Sequence, residues 1–211
     1  MSGDNVSQRK KKMIGVYKKN IGGVWFGAAC TEQRVFSTSF AHSEQETLKK
    51  LLSSIPFNVP FKVFPETSAF AETVLASVKN VYDGNIVPQK FPLATEHLSA
   101  YTQRVLEAAS LIPLGYVSSY GSIAKAAGGS PRAVGHVMTL NPFAPIVPCH
   151  RVVSSDFTLG GYGGGLSVKR EFLIREKRGY TSVREIPLGD EKLQVFPVEF
   201  VLRKLEGLGH V

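Results

Sequence analysis

The run Pro145-Ile146-Val147-Pro148-Cys149-His150-Arg151-Val152-Val153 constrains this chain more than any other stretch. It sets a thiol and an imidazole side by side in an apolar segment bracketed by prolines. Proline fixes φ and offers no backbone donor, so these prolines hold the thiol at a set depth. Read alone, Cys149 is either a nucleophile or a buried structural cysteine, since free Cys is among the most buried residue types. The neighbouring sequence decides between them.

The first half of the chain is strand-rich. Residues 14–17, 24–30 and 34–38 read as strands, with Asn20, Gly22 and Gly23 permitting a hairpin turn. Cys30 ends the second of these and is expected in the core. A helix is predicted over 43–53, with Ser43 as N-cap and Glu46 three residues on, the capping-box signature. A second covers 68–82 and stops at Asp83-Gly84-Asn85. The stretch through Pro88, Phe91 and Pro92 reads as a linker, which puts an N-terminal unit at 13–90.

The second half is helical. Leu98, Tyr101, Val105, Ala108 and Ile112 recur at helical spacing, and Pro113 and Gly115 end that helix. Ser119 caps a short helix through Ile123 and Ala126, and Gly128-Gly129 turns the chain. Ser130 is the next N-cap, with Pro131 at the first helical position, and this helix stops before Asn141-Pro142. Helix, glycine turn and helix form a helix-turn-helix candidate. Its second helix opens on Arg132, Ala133 and Gly135, a small surface with one cation. Small residues let a backbone come close to another surface, and the arginine suits a phosphate. A glycine-rich loop, Gly160-Gly161-Tyr162-Gly163-Gly164-Gly165, lacks the ending of a nucleotide-binding loop and reads as a lid with one aromatic. In the helix expected over 167–178, Glu176 falls on the apolar face of Val168, Phe172 and Leu173, where a carboxylate needs a partner. Gly179 is the expected C-terminal cap. Residues 181–211 form an extension with an apolar run at 193–196 and a final helix near 199–205, without an assigned role. Strands followed by helices predict an α/β (α+β) chain.

Charge narrows the partner. The chain of 211 residues carries a net charge of +8, which favours polyanions such as nucleic acid. Between Tyr116 and Tyr180, eight Lys/Arg stand against three Asp/Glu. No apolar stretch approaches the roughly 18 residues of a membrane span. The polar N-terminus, running into Arg9-Lys10-Lys11-Lys12, reads as a flexible basic arm rather than an export signal, and a cytoplasmic setting is expected, or a nuclear one in a eukaryote. Two Cys and five scattered His offer no zinc spacing, so no metal and no cofactor are expected.

With these pieces in place, the sequence resembles the O6-alkylguanine-DNA alkyltransferases, in an archaeal-like form. The resemblance spans about residues 91–179 and rests on Pro148-Cys149-His150-Arg151-Val152, preceded by Ser130-Pro131-Arg132-Ala133-Val134-Gly135 and Asn141-Pro142, and followed by Gly164-Gly165-Leu166, Lys169 and Glu176. It implies a ribonuclease H-like N-terminal α/β domain with an antiparallel sheet and a mostly helical, winged-helix-like C-terminal domain over 91–180. It implies that Cys149 accepts an alkyl group from O6-alkylguanine, with O4-alkylthymine a second candidate, in double-stranded DNA. His150 would act through a water as base, oriented by Glu176, and Asn141 would fix the turn between recognition helix and cysteine strand. Tyr120 would crowd a phosphate and protonate the departing base, while Arg132 fills the gap left by the flipped nucleotide. Ser130, Ala133, Gly135 and Arg151 complete the expected DNA-binding set. Tyr162, Gly163, Pro148 and Ala144 would wall the pocket. Ala144 and Gly163 depart from the commoner proline and serine there. The product thioether has no hydrolytic release, so the protein would act once, as a monomer without an obligatory protein partner.

Three rivals remain on sequence grounds: a relative that binds alkylated DNA without reacting, a cysteine hydrolase, and a helix-turn-helix regulator. The first replaces the acceptor cysteine. The second usually brings its base from a distant part of the chain. The third leaves Cys149, His150 and Glu176 as an accident.

Overall fold

A computed structural model describes residues 13–87 and 89–208, so the arm expected over 1–12 and Pro88 of the linker lie outside the described residues. Strands β1 (Ile14–Ile21), β2 (Val24–Cys30) and β3 (Val35–Ala41) form an antiparallel meander. Ile21 pairs with Val24 across Gly22 and Gly23, whose φ values of 62° and 83° are what a two-residue hairpin of the favoured hand requires. A short β4 (Phe61–Val63) adds parallel to β1, giving the order β3-β2-β1-β4. The sequence reading did not include β4, which has only three exposed residues between Pro60 and Pro65.

Helices α1 (Glu44–Ser53) and α2 (Ala69–Tyr82) follow the expected positions. At Gly27 a Cβ would come within 2.7 Å of Thr47 Cγ2 and 2.6 Å of Leu51 Cδ1, so α1 seats where β2 has no side chain. The second half holds α3 (Ala100–Ser110), β5 (Tyr116–Ser119), α4 (Tyr120–Ala127) and α5 (Pro131–Thr139). Ser43, Ser68, Ser99, Ser119 and Ser130 each accept the N–H three residues on, satisfying a donor that the helix leaves open. Glu46 pairs with Lys50 at 2.9 Å.

Two expectations are corrected. Cys149 lies not on a strand but on a single 3₁₀ turn, Cys149–Arg151, followed by the two-residue β6 (Val152–Val153). Next, α6 (Leu166–Arg175) ends earlier than expected, with Glu176 as its cap. Gly179, at φ 73°, lies in the reversal beyond, because the Arg178 and Gly179 N–H groups bond to Glu199 rather than to helix carbonyls. The C-terminal half also carries a four-stranded sheet, two strands of which come from the extension beyond residue 180. Its strands β7 (Arg184–Leu188) and β8 (Glu191–Pro197) precede α7 (Val198–Gly207). The order is β6-β5-β8-β7, with β6 parallel to β5 and the other pairs antiparallel.

One core cluster runs through both halves, from Phe26 and Val78 through Leu106 and Ile123 to Phe143, Cys149 and Val152. The outer edge of β3 is covered by loops of the second half. Thr38 N donates to Pro142 O and Thr38 Oγ1 to Ala144 O, both at 2.9 Å, while Val35 N donates to Pro92 O at 2.9 Å. An edge strand so covered cannot pair with another chain, and the loop before Cys149 gains a fixed floor. Among the described residues, no helix is long and apolar enough to cross a membrane.

The serine caps generate a direct expectation. Ser119→Ala, which leaves the Ser122 N–H without its acceptor, should destabilise the fold by about 1 kcal/mol. Urea unfolding should show a lower midpoint with little change in slope.

Candidate functional site

The 3₁₀ turn explains how adjacent residues serve different ends. With three residues per turn, successive side chains point about 120° apart. Cys149 faces outward into two cavities, His150 faces the α6 side, and Arg151 reaches towards the end of α3. Val147 O accepts from Cys149 N at 2.8 Å, and Pro148 O from Arg151 N at 2.9 Å, which closes the turn behind the proline. Asn141 ties the loop together: its Nδ2 donates to Val147 O and its Oδ1 accepts from Phe143 N, both at 2.9 Å.

Behind the thiol lies a buried ionic chain. Glu176 has no exposed surface, and Arg151 donates to it from Nε to Oε2 and from Nη2 to Oε1, each at 2.9 Å. The third contact of Arg151, from Nη1, is to Ile112 O at 2.7 Å. His150 Nε2 lies 2.8 Å from Glu176 Oε1. Burial alone would raise the Glu176 pKa, but His150 and Arg151 outweigh it and hold the carboxyl at about 2. An ionised carboxylate only accepts, so Nε2 carries the hydrogen and Nδ1 is the free lone pair of the neutral ring. Burial lowers the His150 pKa, Glu176 opposes that, and the Arg151 charge beside it adds to the lowering. His150 is therefore neutral at rest, stacked on Phe172 at 4.4 Å, and its Nδ1 has no hydrogen-bond partner among the described residues.

Burial also pushes the Cys149 thiol up, against an Asn141 hydrogen bond and the Lys169 charge, which favour the thiolate. Lys169 is itself fully buried. Its Nζ donates to Val152 O at 2.6 Å, Leu159 O at 2.5 Å and Gly161 O at 3.1 Å. Burial draws Lys169 down to about 8, and Cys149 opposes this. Three carbonyls match the three hydrogens of an ammonium. The cation thus pins the loop over 159–161 to the strand after the thiol.

Cys149 lines both cavities. The smaller, about 320 Å³, is walled by Tyr120, Arg132, Gly135, Met138 and the loop at 161–163. The larger, about 640 Å³, runs under Tyr162 and Gly163 to Ala144, Leu98, Thr38 and Phe40. Tyr120 Oη donates to Gly161 O at 3.2 Å. Gly160 permits this closeness: its φ is 65°, and a Cβ there would lie 2.7 Å from the Tyr120 ring. Burial raises the pKa of both Tyr120 and Tyr162, so both hold their protons at neutral pH.

With this geometry the chain can be compared with known proteins. Residues 100–178 match the family model described as 6-O-methylguanine DNA methyltransferase, DNA binding domain. A methylated-DNA–protein-cysteine methyltransferase of Archaeoglobus fulgidus is 39% identical over 122 residues, which is 55% of this chain and 82% of that protein. The chain belongs to the methylated-DNA–protein-cysteine methyltransferase family. A member from Pyrobaculum aerophilum is 55% identical over 65 residues, and the match spans less than half of that protein, 44%, and 31% of this chain. The crystal structure of O6-methylguanine-DNA methyltransferase from Pyrococcus kodakaraensis aligns with a TM-score of 0.60 at 29% identity, covering 78% of this chain and 99% of that one.

Set against the residues expected for a methyltransferase, the structure brings Cys149, His150, Glu176, Asn141, Tyr120, Tyr162, Gly163 and Ala144 to one site. Arg132 and Gly135 line the mouth of the smaller cavity, Ser130 caps α5, and Ala133 is half-buried beside them. Arg132 is exposed and makes no hydrogen bond or ion pair among the described residues. Two assignments are corrected. Arg151 is not a DNA contact, because its guanidinium is buried and occupied by Glu176 and Ile112. Pro148 walls neither cavity; it is buried under the turn. The sequence reading left Lys169 without a role and took nothing from Thr38 and Phe40. A buried carboxylate beside a neutral ring demands a countercharge, and Arg151 next to His150 was the signal for it.

Glu176 makes stability depend on acid in a defined way. Its folded pKa of about 2 lies below the ordinary 4.5, so its contribution is complete above pH 4.5 and is lost as pH falls towards 2. Urea unfolding across that window should show a falling stability that is shallower in Glu176→Gln. Identical acid slopes in the two proteins would remove the carboxylate from this role.

Proposed function

We propose that this chain repairs DNA by moving an alkyl group from O6-alkylguanine in a duplex to Cys149, once per molecule. The observation that carries the reading is the Cys149 thiol at the wall shared by two cavities, backed by the His150–Glu176–Arg151 chain. Family membership supports the chemistry. O4-alkylthymine is a second candidate substrate, and the protein acts as a monomer without cofactor.

A free thiol at neutral pH is only a few per cent thiolate, and burial makes this one weaker still. His150 Nδ1 takes the proton by way of a water, while Nε2–H stays on Glu176 and stabilises the imidazolium that forms. The thiolate attacks the alkyl carbon, a carbon–sulfur bond forms, and the bond from that carbon to O6 breaks. The electron pair goes to the guanine, which must be protonated to leave as a neutral base. Tyr120 supplies that proton by exchanging its Gly161 acceptor for the base, and regains one from the imidazolium through solvent. Overall the thiol proton ends on guanine.

The alkyl carbon is hidden in the base stack, so the nucleotide has to be flipped out. Arg132, exposed at the smaller cavity and without a partner among the described residues, suits the gap. Gly135 supports a close approach of α5 to the duplex. A Cβ there would meet only Tyr120 carbons at 3.9 and 4.0 Å, so the interior does not require its smallness.

Two experiments test this. Duplex DNA carrying O6-methylguanine should add a single methyl to the Cys149 peptide by intact mass and mapping, with no gain in Cys149→Ala. Binding without mass gain would favour the recognition-only relative, and turnover beyond one equivalent would exclude single use. Arg132→Ala should slow repair of duplex DNA far more than reaction with free O6-alkylguanine base, and equal losses on both substrates would refute the finger role.

A further inference from the structure

The chain beyond residue 178 lies outside the family model, yet it reaches both limbs of the buried ionic chain. We propose that Glu199 is a positioning residue for the alkyl-acceptor site, fixing the reversal behind Glu176, and that the β8–α7 unit carrying it braces the strand behind His150 and Arg151. This rests on Cys149 being the alkyl acceptor.

The reversal after α6 starts on backbone bonds, Glu176 N to Phe172 O at 3.0 Å and Lys177 N to Ile174 O at 3.2 Å, but its next two N–H groups do not return to the helix. In the usual glycine-terminated helix, N–H groups just past the end bond back to carbonyls of the last turn. Here the N–H of Arg178 donates to Glu199 Oε1 at 3.1 Å and that of Gly179 to the same oxygen at 2.5 Å. The Arg178 guanidinium takes the carbonyls instead, from Nη1 to Arg175 O at 2.9 Å and to Lys177 O at 2.8 Å. Glu199, only 9% exposed, stands on the first turn of α7. The path of residues 178–179 therefore depends on a side chain from a separate helix, and that path anchors the turn directly behind the Glu176 carboxylate.

The same unit grips the other limb. Val198, Val201 and Leu205 of α7 pack in one cluster with Leu173 of α6, Val117 of β5 and Val153 of β6. Pairing of β8 with β5 joins Tyr116 to Pro197 and Val117 to Phe196, and Ser118 Oγ donates to Gln194 O at 2.7 Å. On its other side β5 pairs Ser118 with Val152, the residue after the Cys149–Arg151 turn. One unit thus holds both partners of the His150–Glu176 contact. Catalytic geometry tolerates little slack, since a misplacement of about 1 Å can cost on the order of 100-fold in rate.

The test uses the full chain with Glu199→Gln, Glu199→Asp, Glu199→Leu and, as a control for lost stability, Leu51→Ala in the separate cluster under α1. Three measurements are made on each: melting temperature, single-turnover methyl transfer, and titration of the Cys149 thiolate by ultraviolet absorbance. Cys30 does not interfere, because burial pushes it up to about 12. The Gln variant keeps an oxygen acceptor of the same length and should stay near wild type in all three. Glu199→Leu should lose at least about tenfold in transfer and raise the thiolate titration, because a misaimed Glu176 no longer supports the imidazolium. Glu199→Asp, whose oxygen is withdrawn by one methylene, should fall between. Leu51→Ala lowers the melting temperature while leaving rate and titration unchanged. The proposal is overturned if Glu199→Asp and Glu199→Leu keep the wild-type titration, or if Leu51→Ala reproduces the loss at a matched melting temperature. Absence of methyl transfer in the wild type would defeat the functional reading instead, and the titration, which needs no substrate, then decides on Glu199 alone.

Discussion

The contact between Arg151 and Glu176 is the one on which the site depends. A fully buried carboxylate is tolerable only when its charge is matched and its lone pairs are used. Arg151 does both with two parallel bonds, and this settles the ring beside it. Because the countercharge is already supplied, His150 need not be protonated to keep Glu176 ionised. It is held neutral, in the one tautomer that leaves Nδ1 as a free lone pair. Buried ion pairs contribute little net stability compared with apolar replacements. The value of this one lies in the orientation it imposes.

That orientation is shared between the two halves of the chain. His150 stacks on Phe172, and Phe172 in turn meets Phe40 of β3 at 5.4 Å and Tyr82 of α2 at 5.7 Å, both edge-on. Arg175 extends the contact, donating to Tyr82 O at 2.8 Å with its guanidinium over the Tyr82 ring. The N-terminal sheet therefore acts as the backstop of an imidazole that lies far along the chain. Thr38 does the same for the loop before Cys149, through Pro142 and Ala144. The first half supplies no atom of the ionic chain, yet it fixes where that chain sits.

Much of this was legible in the sequence where a local rule decides. Serine caps, the Gly22-Gly23 turn and the helical spacing of α2 and α3 depend on neighbours a few residues away, and they fall where expected. Periodicity put Glu176 on the apolar face but left a frayed, solvent-exposed helix end as the alternative until its partner was identified. Arg151 was misassigned because the resemblance placed it in the DNA-binding set, and only the 3₁₀ turn after Pro148, which no local pattern announces, aims it inward. The end of α6 was misplaced for a similar reason. Gly179 carries the positive φ of a helix stop, but Glu199 takes the N–H groups that would have closed a glycine cap, and that competitor lies on another helix. Strand β8 reads locally as an apolar run, and its place beside β5 is a long-range pairing that residue alternation does not specify.

The resting thiol fits the single-use chemistry proposed for it. A reactive cysteine is usually found where positive charge and exposure lower its pKa. Cys149 is only 6% exposed and burial holds it protonated, although Lys169 and Asn141 pull the other way. For an enzyme that turns over, a weak nucleophile is a handicap. For a protein consumed by one event, every reaction with a stray electrophile or oxidant is a lost molecule, and oxidation follows thiolate character and exposure. Low basal reactivity is then an advantage, provided the base engages once the target fills the pocket. The neutral His150 supplies that condition. It holds an open lone pair and a carboxylate ready to stabilise its cation, and the fixed Lys169 charge favours the thiolate as it forms. The site is arranged to make the thiolate on demand rather than to store it.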